Sequence, residues 1–221
     1  MYIHWRKSDL RDYEEAQKER LTIYSRVDDI LYGLCKKWPT HDDLGAVQAK
    51  VRIIGRVYMT GLERKGEKDK SKGIYETVAA LFCRRRSWID SELEELRRFK
   101  TLSKPTCEKI LGSHGALVKL LRDGTKSQTN FRSFVSKYLH FHNPIVPIFD
   151  SRASGILREW YPWSEFRTQF PITRGKGYDA VYYKFLAQFL LYFSDLHELN
   201  LKPSVRSADY YLIWSSYYAG E

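Results

Sequence analysis

Cysteine is scarce: the chain of 221 residues holds three, Cys35, Cys83 and Cys107. They lie far apart and are odd in number, which argues against a disulfide framework and against a four-cysteine zinc or iron–sulfur site. Packing is the simplest role for them. Long apolar runs are missing too, so no segment is a candidate membrane span, and the opening MYIHWRKSDLRDYEE lacks the apolar centre of a signal peptide. The expectation is an intracellular, cytoplasmic protein that does not enter a membrane. Internal repeats, low-complexity tracts and a linker are also absent, so residues 1–221 read as a single domain, or as two intimately packed lobes. No group of Asp, Glu and Lys has the spacing of a metal-dependent nuclease, and Asp150 has no obvious partner carboxylate nearby. Nothing calls for a cofactor or an obligate protein partner.

What is present is an apolar fraction of 43% with 15% aromatics, enough to bury a core, and a strong basic excess. Lysine and arginine number 37 against 27 acidic residues, a net charge of +10, with a pI near 9.4. In a folded intracellular protein such a balance points to a polyanionic partner, most often nucleic acid. The basic residues cluster. Arg64, Lys65, Lys68, Lys70 and Lys72 share one polar stretch that reads either as a solvated loop or as a phosphate contact. Arg84, Arg85 and Arg86 are consecutive and followed by Trp88, and surfaces that combine arginine with an aromatic hold phosphates and stack on bases.

Apolar residues at helical spacing dominate, which predicts a mainly α fold. A long first helix opens at Ser8 or Asp9 and closes at Trp38-Pro39. A second helix within residues 41–63 places Val47, Val51, Ile54 and Tyr58 on one face. The run GEKDKSKG then reads as a loop. Further helices are expected at 74–83, 89–100 and 105–121, the last either continuous or interrupted around Gly112 to Gly115, and at 131–141, ended by Asn143-Pro144. An extended IVPIF follows, then a helix from Ser151, and long helices at 178–199 and 207–217.

The segment from Phe131 to Leu157, FRSFVSKYLHFHNPIVPIFDSRASGIL, sets a lysine, two histidines and an aspartate into a run that otherwise reads as core. A buried charge is costly unless paired or used. On a helix Phe134, Tyr138 and Phe141 share an apolar face, while Ser133 and Lys137 lie one turn apart on another, so Lys137 need not be buried in the core. Asp150 stands immediately before the helical pattern SRASGILREW, where it makes a good N-cap. Capping leaves catalysis open, because a capping carboxylate is held rigidly with its charge in place to face a developing positive one. His140 and His142 form a His-x-His pair, but two residues apart on a helix they point away from each other, so a shared metal ion is not expected.

The order helix, SK-x-L-H-F, loop, P-I-x-D-S-R, helix resembles the active-site segment of the 8-oxoguanine-glycosylase-fold proteins, a branch of the helix-hairpin-helix DNA glycosylase superfamily. AKVRIIGRVYMTGLER is similar to an early helix of that branch, and VRSADYYLIW to its last. The resemblance implies a mainly helical, two-lobed fold with a central cleft, double-stranded DNA carrying a modified base as partner, and excision of the flipped base. Carried onto this sequence, Asp150 matches the superfamily aspartate and Lys137 takes the place of the lysine. Cleaving an N-glycosidic bond develops oxocarbenium character at the sugar, which a fixed carboxylate stabilises. Lys137 is then either an electrostatic partner or, if burial or a nearby cation lowers its pKa from about 10.4, a nucleophile. Ser133, His140 and His142 are the candidate substrate contacts, although one histidine packing and the other capping the helix end is equally open. Arg132 and Arg152 join Arg84, Arg85 and Arg86 as candidate DNA contacts. Trp88, Trp160, Tyr161, Trp163 and the tyrosine-rich C-terminus read either as core or as the wall and wedge that base flipping needs. Lys137 lies closer to Asp150 in sequence than the lysine of the repair enzymes does, and no apolar-Gly-apolar-Gly hairpin stands just before this helix. Both departures favour removal of a modified base from foreign DNA, such as the glucosylated hydroxymethylcytosine of phage genomes, over repair of 8-oxoguanine. A basic nucleic-acid-binding module without catalysis is the reading from another class.

Overall fold

The computed structural model describes residues 7–19, 24–63, 73–125, 130–166 and 177–218, which are mainly helical and contain no strand. The helices are α1 (Lys7–Glu19), α2 (Tyr24–Lys37), α3 (Leu44–Val57), α4 (Ile74–Arg84), α5 (Arg86–Arg97), α6 (Lys104–Thr125), α7 (Arg132–His142), α8 (Ser151–Trp160), the short α9 (Trp163–Phe166), α10 (Ala180–Glu198) and α11 (Val205–Tyr218). The predicted first helix corresponds to α1 and α2, with residues 20–23 outside the described ones, and it ends before Pro39 as read from sequence. The basic stretch Arg64 to Lys72 lies outside the described residues as well.

Local chemistry sets several boundaries. Asp43 caps α3 by accepting from the Ala46 N–H at 2.9 Å, and Val47, Val51 and Ile54 are fully buried along the predicted face. Asp179 caps α10 through the N–H groups of Val181 and Tyr182. Of the two readings of α6 the continuous one holds: the helix runs unbroken through Gly112 and Gly115. Gly115 serves a close approach instead, since a Cβ there would come to 3.1 Å from the carbonyl oxygen of Gly177.

α7 is central, packed by α2, α3 and α6, while α8 lies against α10 and α11, and α1 covers α11. Every residue of α7 from Phe134 to His142 is buried. The two-faced pattern of that helix left Lys137 free to lie outside the core; it is buried with the rest, and the cause is tertiary, since α2, α3 and α6 all pack on α7. The aromatic surplus is largely core. Tyr138, Tyr161, Tyr182 and Tyr192 are among the largest fully buried side chains, and each hydroxyl finds a partner, on His41, Asp195, the Pro147 carbonyl and the Ala208 carbonyl respectively. Cys35 and Cys107 are buried free thiols, as a packing role requires.

Candidate active site

The site begins with how the chain turns back on α7. Asn143 ends the helix in an extended conformation, a turn closes from the Val146 N–H to the Asn143 carbonyl, and residues 145–149 return along the helix without joining any sheet. Hydrogen bonds one turn apart on α7 fasten this return. The Nδ1–H of His140 donates to the Val146 carbonyl at 2.7 Å, and the Phe149 N–H donates to Ser136 Oγ at 2.9 Å. α10 adds a third tie, from Tyr182 to Pro147. The consequence is that Asp150, the next residue, arrives beside Lys137.

Lys137 is 3% exposed. Its Nζ donates to Ser133 Oγ at 2.9 Å and to the Phe149 carbonyl at 3.3 Å, and lies 3.9 Å from Asp150 Oδ2. Burial brings its pKa down to about 8, against the opposing charges of Asp150 and Asp209 and with help from Arg206. Asp150 caps α8 by accepting from the Arg152 N–H at 2.9 Å. Its side chain keeps 31% of its surface open. A buried amine and a half-open, rigidly held carboxylate therefore share one spot, with the carboxylate on the solvent side.

The other predicted residues divide. Ser133 joins the pair directly through Lys137. His140 is fully buried, with Nδ1 on Val146 and Nε2 facing the Tyr32 hydroxyl, so both ring nitrogens serve the fold. His142 turns elsewhere, to Lys50 at 3.5 Å and against the His41 ring, and lines a separate groove of about 740 Å³ whose lining includes neither Lys137 nor Asp150. Arg132 holds Asp179 through two hydrogen bonds of 2.7 and 2.8 Å. Arg152 is exposed and sits over the Tyr217 ring, 4.6 Å from its centroid. Arg84, Arg85 and Arg86 are exposed at the junction of α4 and α5, and Trp88 beside them is 37% exposed. Among the described residues no three His, Cys, Asp or Glu side chains gather where they could hold a metal ion, and no helix is long and apolar enough to cross a membrane.

Sequence reading missed the charged network behind the pair. Arg206 on α11 makes a two-pronged ion pair with Asp28 on α2, at 2.8 and 3.0 Å, and a third contact with Asp209. All three are buried. A signal was present: Arg206 and Asp209 stand at helical spacing inside the otherwise apolar VRSADYYLIW. No protein-family model, no curated protein and no solved structure matches the chain.

Proposed function

We propose that the chain is a DNA N-glycosylase with a two-lobed helical fold, acting in a cleft on double-stranded DNA that carries a modified base. The observation that carries this reading is the Lys137–Asp150 pair, a buried amine 3.9 Å from a carboxylate fixed at a helix N-terminus. The net charge of +10 and the exposed Arg84–Arg86 run beside Trp88 supply the phosphate affinity the reaction needs. In the reaction the bond from the sugar C1′ to the base nitrogen breaks, and the base leaves with the electron pair. Asp150 faces the positive charge that develops on the sugar. Water then forms the new bond at C1′, and its proton passes to the carboxylate and on to the departing base. Lys137 as an ammonium supports Asp150 electrostatically, or as a free amine replaces water as nucleophile at C1′: the base leaves, the C1′–O4′ bond then opens with the ring oxygen taking a proton from the nitrogen, and a Schiff base results. The substrate class we favour is glucosylated hydroxymethylcytosine in phage DNA, which makes the activity one of antiviral defence.

Duplexes carrying glucosylated hydroxymethylcytosine, 8-oxoguanine or no modification, incubated with the protein and then treated with alkali, test this reading. Alkali-dependent breaks at the glucosylated base are expected. Breaks at 8-oxoguanine alone would make it a repair enzyme, nicks without alkali at unmodified DNA a nuclease, and no breaks with retained binding a non-catalytic module. Asp150→Asn should slow base release by about 100-fold or more, while it preserves DNA binding and stability because asparagine caps as well as aspartate. Borohydride trapping that depends on Lys137 would assign the covalent route.

A further inference from the structure

We propose that Ser133 is a positioning residue for Lys137: with the Phe149 carbonyl it takes two of the three positions around the amine nitrogen and leaves the third aimed at Asp150. The inference deepens the glycosylase reading and rests on it for its purpose alone. The sequence reads Ser133 as a substrate contact, but its hydroxyl is engaged inside the protein, on Lys137.

A lysine nitrogen has three positions beyond its bond to Cε. In the ammonium all three hold protons, and in the free amine one of them is the lone pair. Ser133 Oγ accepts one proton at 2.9 Å and the Phe149 carbonyl a second at 3.3 Å. Asp150 Oδ2, at 3.9 Å, is within ion-pair range but beyond hydrogen-bond reach. The third position therefore faces the polar neighbour that is left, on the side where the Asp150 side chain keeps 31% of its surface open. When the nitrogen is an ammonium, that position carries the proton nearest the carboxylate. When it is a free amine, both protons stay on Ser133 and Phe149 and the lone pair points out into the site.

Lys50, the other buried lysine among the described residues, shows the alternative. Its Nζ lies 2.9 Å from the Trp38 carbonyl, 3.5 Å from the Thr40 carbonyl and 3.5 Å from His142 Nε2. Acceptors fill all three positions, so that lysine serves the fold. The hold on Lys137 is itself anchored. Ser136 Oγ donates to the Ser133 carbonyl at 3.1 Å and accepts from the Phe149 N–H at 2.9 Å, so one buried hydroxyl ties together the two residues that grip the amine. Arg132, next to Ser133, is fixed by Asp179 and lies over the Phe149 ring, 5.0 Å from its centroid. Phe185 packs edge-on against the same ring. Neither acceptor can follow the amine if it turns, which is the fixed orientation a nucleophile needs.

Reductive methylation of the full chain with formaldehyde and cyanoborohydride, read at each lysine by mass spectrometry near neutral pH, tests this. The lone pair attacks the aldehyde carbon, water leaves as the imine forms, and hydride from cyanoborohydride with a proton from solvent gives the methylated amine. Lys137 should be modified and Lys50 should not. Ser133→Ala should slow modification of Lys137 by about 10-fold or more, and Ser133→Thr, which keeps the hydroxyl, should restore it. Ionisation alone drives the other way: removing an acceptor of the ammonium proton lowers the pKa and enlarges the free-amine fraction. A lysine that Ser133 merely satisfies should thus react in Ser133→Ala as fast as in the wild type or faster, and that result would overturn the proposal. So would a wild-type Lys137 that stays unmodified or reacts no faster than Lys50, a comparison that decides even if the variant does not fold. Because no DNA enters the experiment, absence of base release from every duplex would sink the glycosylase reading and leave this result standing.

Discussion

Lys137 is expensive where it stands. Burial lowers its pKa from the ordinary 10.5 to about 8, so between those values the unfolded chain holds a proton that the native protein has released, and native stability rises with pH across that window. Below about pH 8 the full penalty, about 3 kcal/mol, is present. Lys137→Met keeps the length of the side chain and removes the charge. It should be more stable than the wild type by roughly 1–3 kcal/mol at neutral pH, and the gain should shrink as pH rises from about 8 to about 10.5. Denaturant unfolding of both proteins across that range checks the expectation; a variant less stable than the wild type at neutral pH would show that the lysine supports the fold rather than the chemistry. The identities of Lys137 and Asp150 as candidates were legible in sequence, because a lysine and a capping aspartate stood in an apolar segment. Their separation was not, since 3.9 Å depends on the return of residues 145–149 along α7.

At the scale of elements, Asp179 ties two helices together. It caps α10 and binds Arg132 at the start of α7. Burial would raise its pKa, but hydrogen bonds from Arg132, Asn130 and the Tyr182 N–H outweigh it and hold the group down at about 2. The stability this contributes is present above about pH 4 and is lost as pH falls towards 2. Asp179→Asn retains an oxygen for the cap but loses the charge facing Arg132. It should cost roughly 2 kcal/mol at neutral pH, with the difference from wild type narrowing in acid; equal stability of the two proteins at neutral pH would show that the cap alone matters. Arg132 read from sequence as a DNA contact, since its partner stands 47 residues further along the chain. Only the packing of α7 against α10 by way of α6 brings the two together. The helices themselves followed from periodicity and caps, and α6 shows the limit of that reading. Two glycines in a helical pattern look like a break, yet one of them is there to admit the backbone at Gly177.

For the whole molecule the basic excess governs affinity. Replacing Arg84, Arg85 and Arg86 together with alanine should weaken binding to every duplex alike, and should flatten the dependence of log affinity on log salt by about one unit for each arginine that touches phosphate. The preference among bases should not change. An unaltered salt slope would show that this face of the protein does not meet DNA, and an altered base preference would place the run in the base pocket. All three side chains are exposed, so stability should change by less than about 0.5 kcal/mol.

By itself the sequence determined the helical class, the position of nearly every long helix and the capping role of Asp150. Those features depend on the period of apolar residues and on short-range backbone chemistry, both of which are written within a few residues of each other. Tertiary structure decided what the charges do. It buried Lys137 on a helix that looked two-faced, set Arg132 against Asp179 and His140 against Val146, and joined Asp28 to Arg206 and Asp209 across 178 residues of chain. The work a charged side chain does depends on which groups share its desolvated surroundings, and in this fold those groups come from distant parts of the chain.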